Sequence, residues 1–125
     1  MILDTNAVSD LAQNNWILAE IVDRATQVAL PFIAIAEYQF GLLGSTHPKQ
    51  GQAILDGLIE HLPLLLADTL TIRLYAELAA EQRKLGRPIP TNDIWIADLA
   101  RQHNMPVLSQ DRHFDHVPGI QRVGW

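Results

Sequence analysis

Short apolar runs alternate along this chain with longer segments whose apolar residues recur at helical spacing. The runs are Met1 to Leu3, Val28 to Pro31, Leu62 to Leu66, Pro106 to Ser109 and Ile120 to Val123. Each has the length and bulk of a buried strand, and the last follows a turn signal at Pro118-Gly119. Only three residues precede Asp4, so the first strand is expected to be short. Between the runs, helices are predicted over Ala7 to Ala25 (broken near Asn14-Asn15), Ala34 to Leu43, Lys49 to His61, Thr69 to Leu85 and Asn92 to His103. Strands alternating with helices imply right-handed crossovers. The expected class is therefore α/β, with a mainly parallel central sheet of four to five strands and helices on both faces.

Length and composition narrow this further. A chain of 125 residues suits a single domain spanning 1–125, and with 48% apolar residues, seven glycines and seven prolines it has the makings of a packed core. It contains no cysteine, so disulfides and thiolate metal sites are excluded. No basic region precedes an apolar run at the N-terminus, and no apolar stretch approaches the roughly 20 residues that span a bilayer. A cytoplasmic location without membrane insertion is expected.

Open parallel sheets bind ligands beyond the carboxyl ends of their strands. Asp4 ends the first predicted strand, and Asp111 follows the fourth by two residues. Singly, Asp4 reads equally as a helix cap and Asp111 as a turn residue. Glu37 is the one charged residue between Arg24 and Lys49, and helical spacing puts Ile33, Phe40 and Gly41 on its face, so it is expected to point at the core. A bland reading makes it a glutamate satisfied by backbone donors. Asp93 falls in the first turn of a helix that Thr91 is expected to cap, one face above Ala97 and Ala100. The helix dipole would favour an acid there whatever the function. The case for a site rests on joint placement: two acids at strand ends and two on helices of one alternating fold.

Four carboxylates in contact would repel by about 4 kcal/mol per pair at 4 Å and an effective dielectric constant of 20. A cation must hold them together. All-oxygen ligands without cysteine suit one or two hard ions, Mg²⁺ or Mn²⁺, which could drive hydrolysis of a nucleic-acid phosphodiester. The same cluster accounts for most of the formal charge of −5, a sign otherwise unsuited to binding nucleic acid.

Four motifs in order carry a resemblance: Leu3-Asp4-Thr5-Asn6, Ala36-Glu37 in an apolar helix, Asn92-Asp93-Ile94-Trp95-Ile96-Ala97, and Ser109-Gln110-Asp111-Arg112-His113-Phe114. Nearly end to end, the chain resembles PIN-domain ribonucleases, and among them the VapC-type toxins of bacterial and archaeal toxin–antitoxin pairs. The resemblance implies a PIN-like three-layer sandwich and a metal-dependent ribonuclease. Asp4 and Asp93 would be direct metal ligands, and Glu37 and Asp111 would act through water. Thr5, Asn6, Asn92 and Ser109 match supporting polar positions. An RNA substrate, a cognate antitoxin, a homodimer and a larger toxin–antitoxin assembly are the partners it implies.

Other features stand outside that pattern. Asp98 occupies a position where such toxins carry a small apolar residue, and it reads as surface charge or a fifth acid. His113 and His116 lack a second ligand group at zinc spacing, so His113 is read as packing and hydrogen bonding beside Phe114. Arg83, Lys84 and Arg87 form the one basic cluster, either a solvated helix end or a contact for RNA phosphates near Asp93. Tyr38, Leu42, Leu43, Ile54, Leu55, Leu58 and Ile59 suggest an apolar groove for an antitoxin helix. Rival readings are a non-catalytic binding module of the same fold and a DNA-directed PIN-like nuclease. An aspartyl phosphatase would want an acid where Asn6 stands, and a phospho-receiver domain would want an acidic pair and a strand-end lysine.

Overall fold

The opening apolar run becomes β1 (Ile2–Leu3), with both residues fully buried. It lies parallel to β4 (Val107–Leu108), which in turn lies parallel to β5 (Arg122–Val123). The computed structural model, which describes residues 1–125, pairs β2 (Leu30–Pro31) with β3 (Leu64–Leu65), again in parallel. A parallel bridge between Ile2 and Ala29 joins the two sets. There Leu3 N donates to Ala29 O at 3.1 Å, and Ala29 N donates to Met1 O at 2.9 Å. The strands thus run across the molecule as β3, β2, β1, β4, β5, all parallel, as the alternation predicts. Each keeps only two residues in its ladder. At two of them the reason is local: β1 is followed at once by Asp4, which caps a helix, and β2 ends at Pro31, which has no N–H for a ladder and serves as the N-cap of the next helix.

The first predicted helix divides into α1 (Thr5–Ala12) and α2 (Trp16–Arg24). Asn14 takes a left-handed φ of 61°, and Asn15 caps α2 by accepting from Leu18 N at 3.3 Å. Asparagine tolerates both roles, which is why the break is legible in the pair. α3 (Phe32–Leu42), α4 (Pro48–His61), α5 (Thr69–Lys84) and α6 (Thr91–His103) complete the set. A five-residue 3₁₀ helix, Arg112–His116, stands where a simple turn is predicted.

α6 is the buried helix. Ile94, Ile96, Ala97, Leu99 and Ala100 all lie in the core, and Trp95 stacks on Tyr75 of α5 with ring centroids 4.0 Å apart. The expected Thr91 cap is not formed. Pro90 takes the N-cap position, with an extended ψ of 146° and no capping side chain, so Thr91 is already helical. Proline fixes the entry φ that the helix needs without supplying a side-chain acceptor.

α3 and α4 hold less spare apolar surface than the sequence suggests. Leu55 and Leu42 are buried, while Tyr38 and Leu58 pack against the core. Exposure concentrates at Phe40 (78%) and Leu43 (84%) on and just after α3. No helix is long and apolar enough to cross a membrane.

Candidate active site

Asp4 is held at the end of β1 by three donors. Thr5 N reaches its Oδ1 at 2.7 Å, while Asn6 Nδ2 at 2.9 Å and Ser109 Oγ at 2.5 Å reach Oδ2. Ser109 lies just past β4, the strand paired with β1, so the parallel register itself brings the hydroxyl to the acid. The same Oγ accepts from Asp111 N at 2.9 Å, and Asn6 Oδ1 accepts from Gln110 N at 3.3 Å. One network therefore fixes Asp4, Asn6, Ser109 and the loop carrying Asp111.

Asp111 caps the 3₁₀ helix, accepting from His113 N at 2.9 Å. That turn aims the His113 ring back at the acids. Its Nδ1 stands 3.1 Å from Asp93 Oδ2 and 3.0 Å from Asp111 Oδ1. Asp93 itself projects from the first turn of α6.

An open pocket of about 390 Å³ is lined by Asp4, Thr5, Asn6, Ser9, Asp10, Glu37, Asp93 and Asp111. The structure thus gathers four acids that lie far apart in sequence. Glu37 differs from expectation in one respect: it looks into this pocket, half-buried, rather than into the core. α3 is apolar on nearly every side, so spacing could not tell its inner face from its outer one, and Phe40, placed on the buried face, is exposed.

The electrostatics match a crowded set of like charges. Burial raises the Asp4 carboxyl above its ordinary range, against the Ser109, Thr5 and Asn6 hydrogen bonds, and the charge of Asp111 adds to the rise. Burial likewise pushes Asp93 up to about 6, opposed by the His113 hydrogen bond and helped by the charges of Asp4 and Asp111. The Asp93 hydrogen bond raises His113 above its usual value. Carboxylates that hold protons this readily are the electrostatic counterpart of a site built for cations. Thr5 Oγ1, on the pocket wall, is buried without a hydrogen-bond partner. An all-carboxylate set with a spare hydroxyl fits a hard divalent ion.

Several candidates fall elsewhere. Asn92 does not line the pocket. Asp98 is neither surface charge nor a fifth acid of the site: it is fully buried, without a hydrogen-bond partner. Arg83 and Lys84 border a separate depression with Ala76, Ala79 and Ala80 of α5, and Arg87 is exposed in the following loop. Three pocket-side residues lie outside the sequence-based set. Ser9 and Asp10 follow Thr5 and Asn6 by one helical turn, a spacing that could have found them, and Asp10 is held by Trp125 Nε1 at 3.1 Å. His113 could be found only by knowing that Asp111 starts a 3₁₀ turn.

A second pocket, of about 360 Å³, adjoins the first through shared walls at Thr5, Ser9 and Glu37, and continues between α1, α3 and α4 past Tyr38, Leu42 and Ile54.

Residues 1–120 match the PIN domain family. The chain belongs to that family. This PIN domain is 30% identical to Ribonuclease VapC1 of Haemophilus influenzae (strain R2866), over 98% of its own length and 96% of the relative's. Its fold is similar to that of a DNA-bound VapBC from Salmonella typhimurium, with a TM-score of 0.88 at 26% identity over 99% of this chain and 96% of that one. It is also similar to VapBC-5 of Mycobacterium tuberculosis, a member of the VapBC family of toxin-antitoxin systems. There the TM-score is 0.74 at 23% identity, covering 99% and 97% of the two chains. The PIN-like architecture expected from the sequence is the one the chain adopts.

Proposed function

We propose that this PIN domain is a ribonuclease that hydrolyses RNA phosphodiesters with the help of Mg²⁺ or Mn²⁺, and that it is the toxin of a toxin–antitoxin pair. The observation that carries the reading is the convergence of Asp4, Glu37, Asp93 and Asp111 on one open pocket. Asp4 and Asp93 would hold one or two ions directly, with Glu37 and Asp111 acting through water. When bound, such an ion lowers the pKa of water and stabilises charge developing on the phosphate oxygens. Water oxygen joins phosphorus, the bond to O3′ breaks, and O3′ takes up a proton, leaving a 5′-phosphate and a 3′-hydroxyl.

The chain's own residues keep that geometry. Ser109 and Asn6 fix the Asp4 oxygens, the β1–β4 register fixes Ser109, and the first turn of α6 presents Asp93. RNA is favoured over DNA by the ribonuclease relative, and the choice of phosphate-binding groups falls on Arg83, Lys84 and Arg87 as the one basic cluster. An antitoxin partner is supported by the likeness to VapBC toxin-antitoxin structures. The exposed Phe40 and Leu43, beside the groove between α1, α3 and α4, offer it apolar surface. This reading also places the chain in the cytoplasm, as a homodimer within a larger assembly.

The test incubates purified chain with RNA and with DNA of the same sequence, in Mg²⁺, Mn²⁺ or EDTA. Cleavage of RNA that needs the ion and disappears in Asp4→Asn is expected. Retained cleavage in Asp4→Asn overturns the residue assignment. Absence of cleavage under saturating metal supports a non-catalytic module instead.

A further inference from the structure

We infer that His113 is itself a metal ligand, supplying an imidazole nitrogen beside the carboxylates of Asp93 and Asp111 and so favouring Mn²⁺ over Mg²⁺. The inference rests on the metal-dependent reading above and adds to it a residue that the four-acid scheme leaves out.

Asp93, Asp111 and His113 each offer a donor atom, and the three atoms lie within 4.8 Å of one another. Nδ1 is 3.1 Å from the Asp93 oxygen and 3.0 Å from the Asp111 oxygen. Ligands bound at about 2.1 Å in an octahedron stand roughly 3.0 Å apart along each edge, which is the length of the two edges that meet at Nδ1. A ring nitrogen carries at most one proton, directed in one line. It cannot make two good hydrogen bonds to two carboxylates at once, whereas one ion can serve all three donors.

The ring is also placed by the backbone of its own turn, and not only by its contacts with the acids. His113 N donates to Asp111 Oδ1 at 2.9 Å, and the adjoining Phe114 is fully buried in the core, which anchors the 3₁₀ turn from the other side. With half of its side chain exposed, the imidazole can shift by the fraction of an ångström that coordination requires. In the ligating state the ring proton sits on Nε2 and Nδ1 presents its lone pair.

Donor chemistry then sets the preference. Carboxylate oxygens alone suit Mg²⁺, which binds nitrogen poorly. One imidazole in the set favours Mn²⁺, which as a transition-metal ion accepts a nitrogen donor more readily than Mg²⁺ does.

The experiment uses the full chain with MnCl₂ as the probe. Pulsed electron paramagnetic resonance of bound Mn²⁺ is expected to show ¹⁴N coupling that changes to ¹⁵N coupling when histidine alone is ¹⁵N-labelled. The coupling should vanish in His113→Gln. Calorimetric titration is expected to show Mn²⁺ affinity falling by roughly tenfold in that variant, with Mg²⁺ affinity changed less. Mn²⁺ bound without histidine coupling in the wild-type chain overturns the role of His113 and leaves the four-acid reading intact. Failure of Mn²⁺ to bind at all overturns both. The labelled wild-type measurement decides the question even if His113→Gln folds poorly.

Discussion

Asp93 and Asp98 lie on the same helix, five residues apart, and both hold their protons far above the ordinary carboxylate range. Burial raises Asp93 to about 6 and Asp98 to about 7. Their surroundings differ in kind. Asp93 opens onto a pocket shared with Asp4, Glu37 and Asp111, and its carboxylate meets His113. Asp98 is sealed in the core with neither oxygen hydrogen-bonded, and beside the effect of burial the charge of Arg101 lowers its pKa while that of Asp68 raises it. An ion from solution can relieve the first carboxylate. Only a proton can relieve the second. A raised pKa by itself therefore does not mark a site, and what separates the two is access together with convergent donors.

The strongest way to break this contrast is to remove each charge in turn. If Asp93 holds the ion as proposed, Asp93→Asn should lower metal-dependent RNA cleavage by at least about 10²-fold, because transition-state stabilisation would depend on that ligand. The same variant should melt no earlier than wild type without metal, since it removes one of several repelling charges. Asp98→Ala should cleave normally. Parallel kinetics and thermal melts check both, and comparable losses of activity in the two variants would erase the distinction.

A second test uses pH. An aspartate whose folded pKa lies above its unfolded value of 3.8 gives no penalty below that value, where both states are protonated. As pH rises from there to about 7, the unfolded chain releases the proton that the folded chain keeps, so stability falls. Above that point the loss is complete, a few kcal/mol and up to about 4 for Asp98. Asp93 and Asp4 slope the same way. Urea unfolding between pH 4 and pH 8 should therefore show wild type weakening as pH rises. Saturating Mg²⁺ should cancel the share due to the acid pocket and leave that of Asp98, while Asp98→Ala should do the reverse.

Much of this arrangement is legible in the sequence, and the exceptions have causes. Asp4 and Asp111 can be placed because a strand end is a fixed point: the chain must leave the sheet there, on the edge where ligands bind. Glu37 can be assigned to α3 but not to a direction, because Ile33, Ile35, Tyr38 and Phe40 surround it and Gln39 is the one other polar residue of the helix. His113 is hidden by a turn type. Three residues per turn in a short 3₁₀ helix fold its ring back over Asp111, which no periodicity of 3.6 anticipates. Asp98 defies its pattern for the opposite reason: Ile94, Ile96, Ala97, Leu99 and Ala100 surround it with core on nearly every side of α6, whereas an acid is expected to seek water.

A smaller effect is expected at Ser109, which donates to Asp4 and accepts from Asp111 N. In Ser109→Ala the buried Asp4 oxygen loses its shortest donor, so its proton affinity should rise further. Cleavage should fall by about tenfold, and the acidic limb of the pH–rate profile should move to higher pH. A structural role alone would lower stability, by roughly 1–3 kcal/mol, without moving that limb.

The smallest effect is expected where the contrast between pocket and core no longer applies, at the exposed cations in and just after the last turn of α5. Arg83 and Lys84 line their own shallow depression and Arg87 follows in the loop before α6. None touches the acids, so replacing all three by Ala should leave the cleavage rate at saturating RNA unchanged. If they bind phosphates, RNA affinity should weaken, and the slope of log affinity against log salt should shrink by up to about 0.7 for each phosphate of a single strand that is no longer neutralised. Since the pocket is acidic, such ion pairs have to be made away from it, with the strand reaching from the basic helix end towards the acids. An unchanged salt slope would mean that these cations only complement the C-terminal dipole of α5, and the groups that hold the phosphates would have to be sought elsewhere on the chain.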